Sequence, residues 1–301
     1  MTKSTPALSG TAFLTLMLIA VMMGANHVAA RTAFNHGVNV ATAVTMRSGV
    51  TALVVAILLL WQGVSWRTTG REKKYLVLIG VLVAAQSICL YSAVARLPVA
   101  LALLVFNTYP LSTALWARIL YGQRTPKPVL MAMPVLLLGL ALALDVTGAA
   151  SSLSAAAHWS EIGTGVAFGL GASFTFGLAL VWTQHETGAL DGRLRTFTTM
   201  SQVGLIAGAI ALSTGGLQWP AAAAGWWGLA MLTLLYGTAF TIMFTVLPKL
   251  GVVGNSALMN VEPVFALVLA WLLLDQQIAP AQIVGALVVV ATVVTLGLRK
   301  S

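Results

Sequence analysis

Ten stretches of about twenty apolar residues dominate this chain, each long enough to cross the hydrocarbon core of a bilayer as a helix. With ends open by a few residues, they run 11–30, 39–62, 75–95, 98–117, 128–146, 162–183, 196–213, 226–247, 254–274 and 280–298. A segment in lipid must satisfy its own backbone hydrogen bonds, so runs of this length fold as α-helices. Composition agrees, with 59% of the 301 residues hydrophobic and 8% charged, against roughly 25% charged in soluble domains. The expected class is an all-α polytopic membrane protein with ten transmembrane helices. Val28-Ala29-Ala30 faintly resembles a signal-peptide cleavage site, but only Lys3 precedes a long apolar span, so the span is expected to stay in the mature chain.

Lysine and arginine set the orientation. With the N-terminus in the cytoplasm, thirteen of the sixteen fall on inner segments, Arg31 and Arg96 fall outside, and Arg47 lies within a span. Both termini are therefore expected in the cytoplasm. The net charge of +9 then reports topology, and a nucleic-acid partner is not expected. Cys89 has no cysteine to pair with, and the four histidines (27, 36, 158 and 185) show no metal-ligand spacing, so no metal site and no cofactor is expected.

The chain also repeats itself. Arg96 to Pro110 (RLPVALALLVFNTYP) has a counterpart in Lys249 to Pro263 (KLGVVGNSALMNVEP), at an offset of 153 residues, 249 less 96. Cation meets cation, Leu97 meets Leu250, Asn107 meets Asn260 and Pro110 meets Pro263. Residues 1–146 and 162–301 are read as two five-helix repeats, with the Ala- and Ser-rich segment 147–161 as their linker. Five is odd, so the second repeat enters the membrane from the opposite side. Inverted halves of this kind suit alternating access.

Within the spans, few side chains can carry chemistry. Pro110 and Pro263 cannot donate to the helix ladder, which frees the carbonyls of Phe106 and Met259 beside Asn107 and Asn260. Those groups either line a substrate cavity or tie neighbouring helices together at an ordinary kink. Glu262 lies about 12 Å along its helix from the cytoplasmic end. A carboxyl at that depth is rare and faces a cavity or a partner, so it serves as a proton site, as a counter-charge to a substrate amine, or in a structural ion pair with Arg47. Gln86 in the third span, followed by Tyr91, seeks hydrogen bonds from a substrate or from a neighbouring helix. Asn26 and His27 sit toward the outer end of the first span, where a histidine relays protons or simply packs. Trp61, Trp66, Trp159, Trp219, Trp226 and Trp227 read as interfacial anchors. Tyr109, Trp182 and Tyr236 are the aromatic pocket candidates. GVAFG (165–169) and GLIAG (204–208) permit close helix approach, within a monomer by default and in a dimer as the alternative.

GANHVAAR in the first span, NTYPLSTALWA in the fourth and VEPVFALVLAWLLLDQ in the ninth resemble the EamA-type branch of the drug/metabolite transporter superfamily. The third-span SICL with the fourth-span asparagine looks like the YddG-type amino-acid exporters of that family. The resemblance implies export of amino acids, aromatic or otherwise neutral, or of related metabolites across a bacterial-type inner membrane. It also implies cavity roles for Gln86, Asn107, Tyr109, Asn260 and Glu262. Such exporters often carry a tryptophan where this chain has Tyr109, and a glutamate where it has Gln86, which points to a different substrate preference. Efflux of hydrophobic cations coupled to protons is the alternative, with an intramembrane enzyme or an assembly factor further behind. No G-x-S-x-G, H-E-x-x-H or G-x-x-x-x-G-K-[ST] motif occurs, so neither hydrolytic chemistry nor nucleotide-driven pumping is expected.

Overall fold

A computed structural model describes residues 10–124, 127–145, 155–245, 262–276 and 279–298, and every regular element among them is an α-helix. In chain order these are α1 (Gly10–Asn35), α2 (Val40–Trp61), α3 (Gly70–Arg96), α4 (Val99–Phe106), α5 (Tyr109–Tyr121), α6 (Lys127–Ala143), α7 (Ala155–Glu186), α8 (Gly192–Ser213), α9 (Ala223–Thr245), α10 (Glu262–Leu274) and α11 (Pro280–Leu298). Among the described residues, seven helical segments are long and apolar enough to cross a membrane, with α4 and α5 together forming one of them (Val99–Tyr121). Shorter apolar helices lie within α6, α10 and α11. Leu53, Leu60, Leu138, Leu205, Leu212 and Leu273 are exposed on their outer faces. Surface leucines in such numbers suit a hydrocarbon solvent rather than water.

Local sequence explains the helix ends. Asn39 caps α2 by accepting from the Thr42 N–H at 2.7 Å. Thr69 and Glu72 close a capping box on α3. Gly122 takes the left-handed conformation that ends α5. Pro280 opens α11 where its missing N–H costs nothing. Two ends differ from expectation. α7 begins at Ala155, inside the segment read as a linker, because Ala155-Ala156-Ala157 continues the helix and His158 Nε2 lies 2.9 Å from the Leu144 carbonyl at the end of α6. The fourth span is not one kinked helix but two, parted at Asn107 and Thr108. Pro110 offers no N–H to Phe106 and crowds its carbonyl, so the ladder stops and restarts.

The packing is two-fold. α3 lies along α7 as α9 lies along α1, α5 meets α7 as α10 meets α1, and α3 touches α8 as α9 touches α2. α2 against α8 and α6 against α11 are each their own counterpart. Exchanging α1, α2, α3, α5 and α6 for α7, α8, α9, α10 and α11 reproduces this pattern.

Close-packed glycines fix the register of that exchange. A Cβ at Gly24 would meet Glu262, Phe265 and Ala266 of α10 at 3.0–3.3 Å, and one at Gly177 would meet Ser112 and Thr113 of α5 at 2.7–2.9 Å. Gly177 lies 153 residues after Gly24, Phe265 153 after Ser112, and Ala266 153 after Thr113. This is the offset of the sequence repeat, recovered from contacts between other helices. The glycines of GVAFG and GLIAG also pack inside the chain, Gly165 on Leu97, Gly169 on Val105, Gly204 on Gly49 and Gly208 on Thr45.

Candidate functional site

The close approach at Gly24 brings two ionisable side chains together. One turn further along α1, His27 Nε2 lies 3.1 Å from Glu262 Oε1 in the first turn of α10. The histidine side chain is 3% exposed and the glutamate 22%. One proton shared between imidazole and carboxyl satisfies both atoms, whichever group formally carries it. His27, not Arg47, is thus the ion-pair partner of Glu262. Arg47 sits at a comparable depth on α2 but faces other groups.

Those groups form a connected polar cluster in the middle of the helices. Arg47 donates to Tyr91 Oη at 3.2 Å through Nη1 and to Ser87 Oγ at 3.0 Å through Nη2. Tyr91 Oη in turn donates to Asn26 Oδ1 at 3.0 Å. Ser87 donates to Gln86 Oε1 at 3.3 Å, which joins the third-span amide to the same chain. The Arg47 guanidinium lies 3.9 Å from the centroid of the Tyr236 ring and 4.6 Å from that of Tyr91. The ring of His27 is 5.5 Å from that of Tyr91. Tyr236 also points its hydroxyl at Met200 Sδ, 3.7 Å away. The cluster therefore joins α1, α2 and α3 of the first half with α9 and α10 of the second.

The other sequence candidates lie elsewhere. Asn107 is buried but turns back on its own helix, its Nδ2 donating to the Leu103 carbonyl at 2.8 Å, so it caps α4. The polar groups at that break are Thr108, which donates to Ser173 Oγ at 2.9 Å, and Ser112, whose Oγ is 3.1 Å from the same atom. Tyr109 packs with Phe106 and Phe176 in an aromatic group, centroids 5.2–5.5 Å apart. Trp182 packs edge-on against Tyr75, 5.6 Å away, near the start of α3 and apart from the cluster. Asn260 falls outside the described residues. Reading the sequence alone leaves Arg47, Ser87, Asn26 and Tyr91 out of the site. Their signal is the i, i+4 spacing of Ser87 and Tyr91, which puts both on one face of α3.

Two further hollows do not include the cluster. An open apolar crevice of about 470 Å³ runs between α5, α6 and α7 past Leu137, Leu140 and Phe174, and a polar one of about 440 Å³ lies by Gln62, Arg67, Asp191 and Arg193. Among the described residues no three His, Cys, Asp or Glu side chains converge as a metal site requires.

A multi-pass helical bundle with two-fold packing and a polar cluster at its middle defines a membrane transporter of small molecules. The sequence profile of the EamA-like transporter family matches this chain twice, at residues 10–144 and 163–298. The chain belongs to that family, whose members are transporters and not enzymes. A solved structure named only "Crystal structure of protein" shares the fold with a TM-score of 0.61 at 17% identity, covering 95% of this chain and 98% of that one. No curated protein matches this chain.

Proposed function

We propose that this protein exports amino acids or closely related zwitterionic metabolites by alternating access. It spans the inner membrane of a bacterial-type cell ten times, as two inverted halves with both termini in the cytoplasm. The observation that carries the reading is the His27–Glu262 pair. It joins α1 of the first half to α10 of the second, and the glutamate keeps partial exposure. A movement of one half against the other separates or remakes such a pair. The freed carboxyl then takes a proton or a substrate ammonium, and each is released when the imidazole returns.

The test is flux of labelled amino acids into proteoliposomes, with and without a pH gradient, for wild type and Glu262→Gln. Gradient-stimulated flux that the variant loses supports the reading with Glu262 as the coupling group. Flux that ignores the gradient and survives in the variant leaves facilitated diffusion. Wild-type flux of lipophilic cations with none of amino acids overturns the substrate class.

A further inference from the structure

We propose that Arg47 is the carboxylate anchor of the substrate site. The inference rests on the transport reading above and adds to it the group that selects the substrate. All seven acidic residues of the chain lie among the described segments. Among the described residues the ion pairs are His27–Glu262, Arg71–Glu186 and Arg193–Asp191, and none involves Arg47. Arg47 is 3% exposed. A guanidinium keeps its charge in a protein, and a buried charge without a counter-ion is costly.

The surroundings hold this cation in place without neutralising it. The rings of Tyr236 and Tyr91 lie 3.9 and 4.6 Å from it. Such contacts fix the plane of the guanidinium and offset part of its desolvation. Two neutral hydroxyls, on Tyr91 and Ser87, take one N–H from each terminal nitrogen. Nε has no partner among the described residues. Arg31 and Arg96, by the end of α3, contrast with this in reaching carbonyls, though Arg31 Nε likewise has no partner among the described residues. Arg31 donates to the carbonyls of Val94 and Leu97 at 2.7 and 3.4 Å, and Arg96 donates to that of Ser92 at 2.9 Å, the usual use of an arginine at a helix end. Arg47 reaches no carbonyl among the described residues.

A second unpartnered donor sits beside it. Asn26 is fully buried, and its Oδ1 is taken by the Tyr91 hydroxyl while its Nδ2 has no partner among the described residues. Arg47 Nε and Asn26 Nδ2 are thus two orphaned donors flanking one tyrosine hydroxyl. A single carboxylate, with two oxygens and about four acceptor sites, satisfies donors of this kind, and arginine prefers to bind it through an edge of its planar fork. The His27 ring lies 5.5 Å from that of Tyr91, and the Glu262 carboxylate beside it suits an ammonium. A cation against Tyr91 and an anion reached through its neighbour His27 describe a receptor for an α-amino acid, and a lone guanidinium suits a monoanion rather than a phosphate ester.

The probes are phenylalanine, phenylalaninamide, phenethylamine and 3-phenylpropionate, chosen for the aromatic walls. Each is titrated against the purified full chain in detergent, with ligand-induced thermal stabilisation as the readout, for wild type, Arg47→Lys and Arg47→Gln. The expected result for wild type is that the two carboxylates bind about tenfold or more tightly than the amide and the amine, the worth of one charge-assisted hydrogen bond. Arg47→Gln collapses that ratio to near unity while still binding phenethylamine, which shows that the site is folded. Arg47→Lys, charged but without the fork, falls between.

Equal binding of acid and amide by wild type overturns the proposal, and that comparison stands even if Arg47→Gln does not fold. A ratio unchanged in Arg47→Gln overturns it as well, as does failure of all four probes to stabilise wild type. Carboxylate preference without amino-acid flux sinks only the transport reading. Flux without carboxylate preference sinks only this one.

Discussion

Replacing Gly24 or Gly177 by alanine tests the two-fold packing where it is tightest. The two positions are repeat mates, yet their contacts differ in severity. A Cβ at 24 falls 3.0 Å from Ala266 N and 3.1 Å from the Glu262 carbonyl oxygen, so α10 must retreat by a few tenths of an ångström. A Cβ at 177 falls 2.7 Å from Ser112 Cβ, 2.8 Å from Thr113 N and 2.9 Å from the Ser112 carbonyl carbon. Ordinary contact needs about 3.5–4.0 Å, so α5 must move by most of an ångström. Overpacking of this kind costs about 1–3 kcal/mol, and removing a mid-helix glycine returns about 1 kcal/mol of helix propensity. Gly24→Ala should therefore lie within about 1 kcal/mol of wild type, and Gly177→Ala should be destabilised by about 1–2 kcal/mol. Unfolding of the purified chain in mixed detergent reads both values. The same variants should rank the other way in flux, because the methyl group added by Gly24→Ala pushes away the helix that carries Glu262 and lengthens its bond to His27. If Gly24→Ala loses more stability than Gly177→Ala, or if both match wild type, these backbone-on-backbone contacts are absent and the register built on them falls.

Two other outcomes follow from the hydrogen bonds. Tyr91→Phe strips a partner from Arg47 Nη1 and from Asn26 Oδ1, both on side chains already short of partners; the loss should be about 2–4 kcal/mol, and a double-mutant cycle with Asn26→Leu should show coupling above about 0.5 kcal/mol. Asp191 caps α8 by accepting from the Arg193 N–H at 2.8 Å, so Asp191→Ala should cost about 1 kcal/mol and speed hydrogen exchange in the first turn of α8. The side-chain hydrogen bond from Arg193, helped by its charge and the backbone N–H, holds the Asp191 carboxyl below the usual carboxylate range. A depressed folded-state pKa stabilises at pH values above the unfolded carboxylate value, and the benefit disappears as pH falls through the folded value. Wild type should thus lose stability on acidification by a component that Asp191→Ala lacks.

How much of this is legible in the sequence depends on which coordinate a residue's position reports. Position along an apolar span gives depth, and depth places Glu262, His27, Gln86 and Arg47 within their spans. It does not give azimuth. Arg47 and Glu262 both lie within spans, and pairing them is reasonable, but the guanidinium faces Tyr91 and Tyr236, and His27 faces the carboxyl. Trp182 shows the same limit, since depth alone does not tell that the face of α7 bearing it meets Tyr75. Asn107 shows a different limit. Beside a proline an asparagine has freed backbone groups within reach, and the nearest carbonyl, that of Leu103, outcompetes any distant partner. Pro110 itself is easy to read as an interruption. That the interruption is a full break, with Thr108, Ser112 and Ser173 stitched across it, depends on the neighbouring helix.

The duplicated register carries one more consequence. Under the 153-residue offset that relates Gly24 to Gly177, Glu262 corresponds to Tyr109 and His27 to Leu180. Both halves make the same close helix contact, but only one places an ion pair beside it; in the other, Tyr109 packs against Phe106 and Phe176. Two-fold symmetry in the chemistry as well as the scaffold would set a second carboxylate facing the first across the axis, and neighbouring like charges resist joint ionisation. The sequence avoids that arrangement. Under the alternating access proposed above, the symmetric parts, the glycine contacts and the self-related pairs α2–α8 and α6–α11, are those an exchange between outward- and inward-open states would conserve. The asymmetric parts are Glu262 with His27 at one contact and Tyr109 with its aromatic partners at the other, one ionisable and one aromatic. On that proposal, geometry common to both halves supports the movement, and residues unique to each half set what is carried.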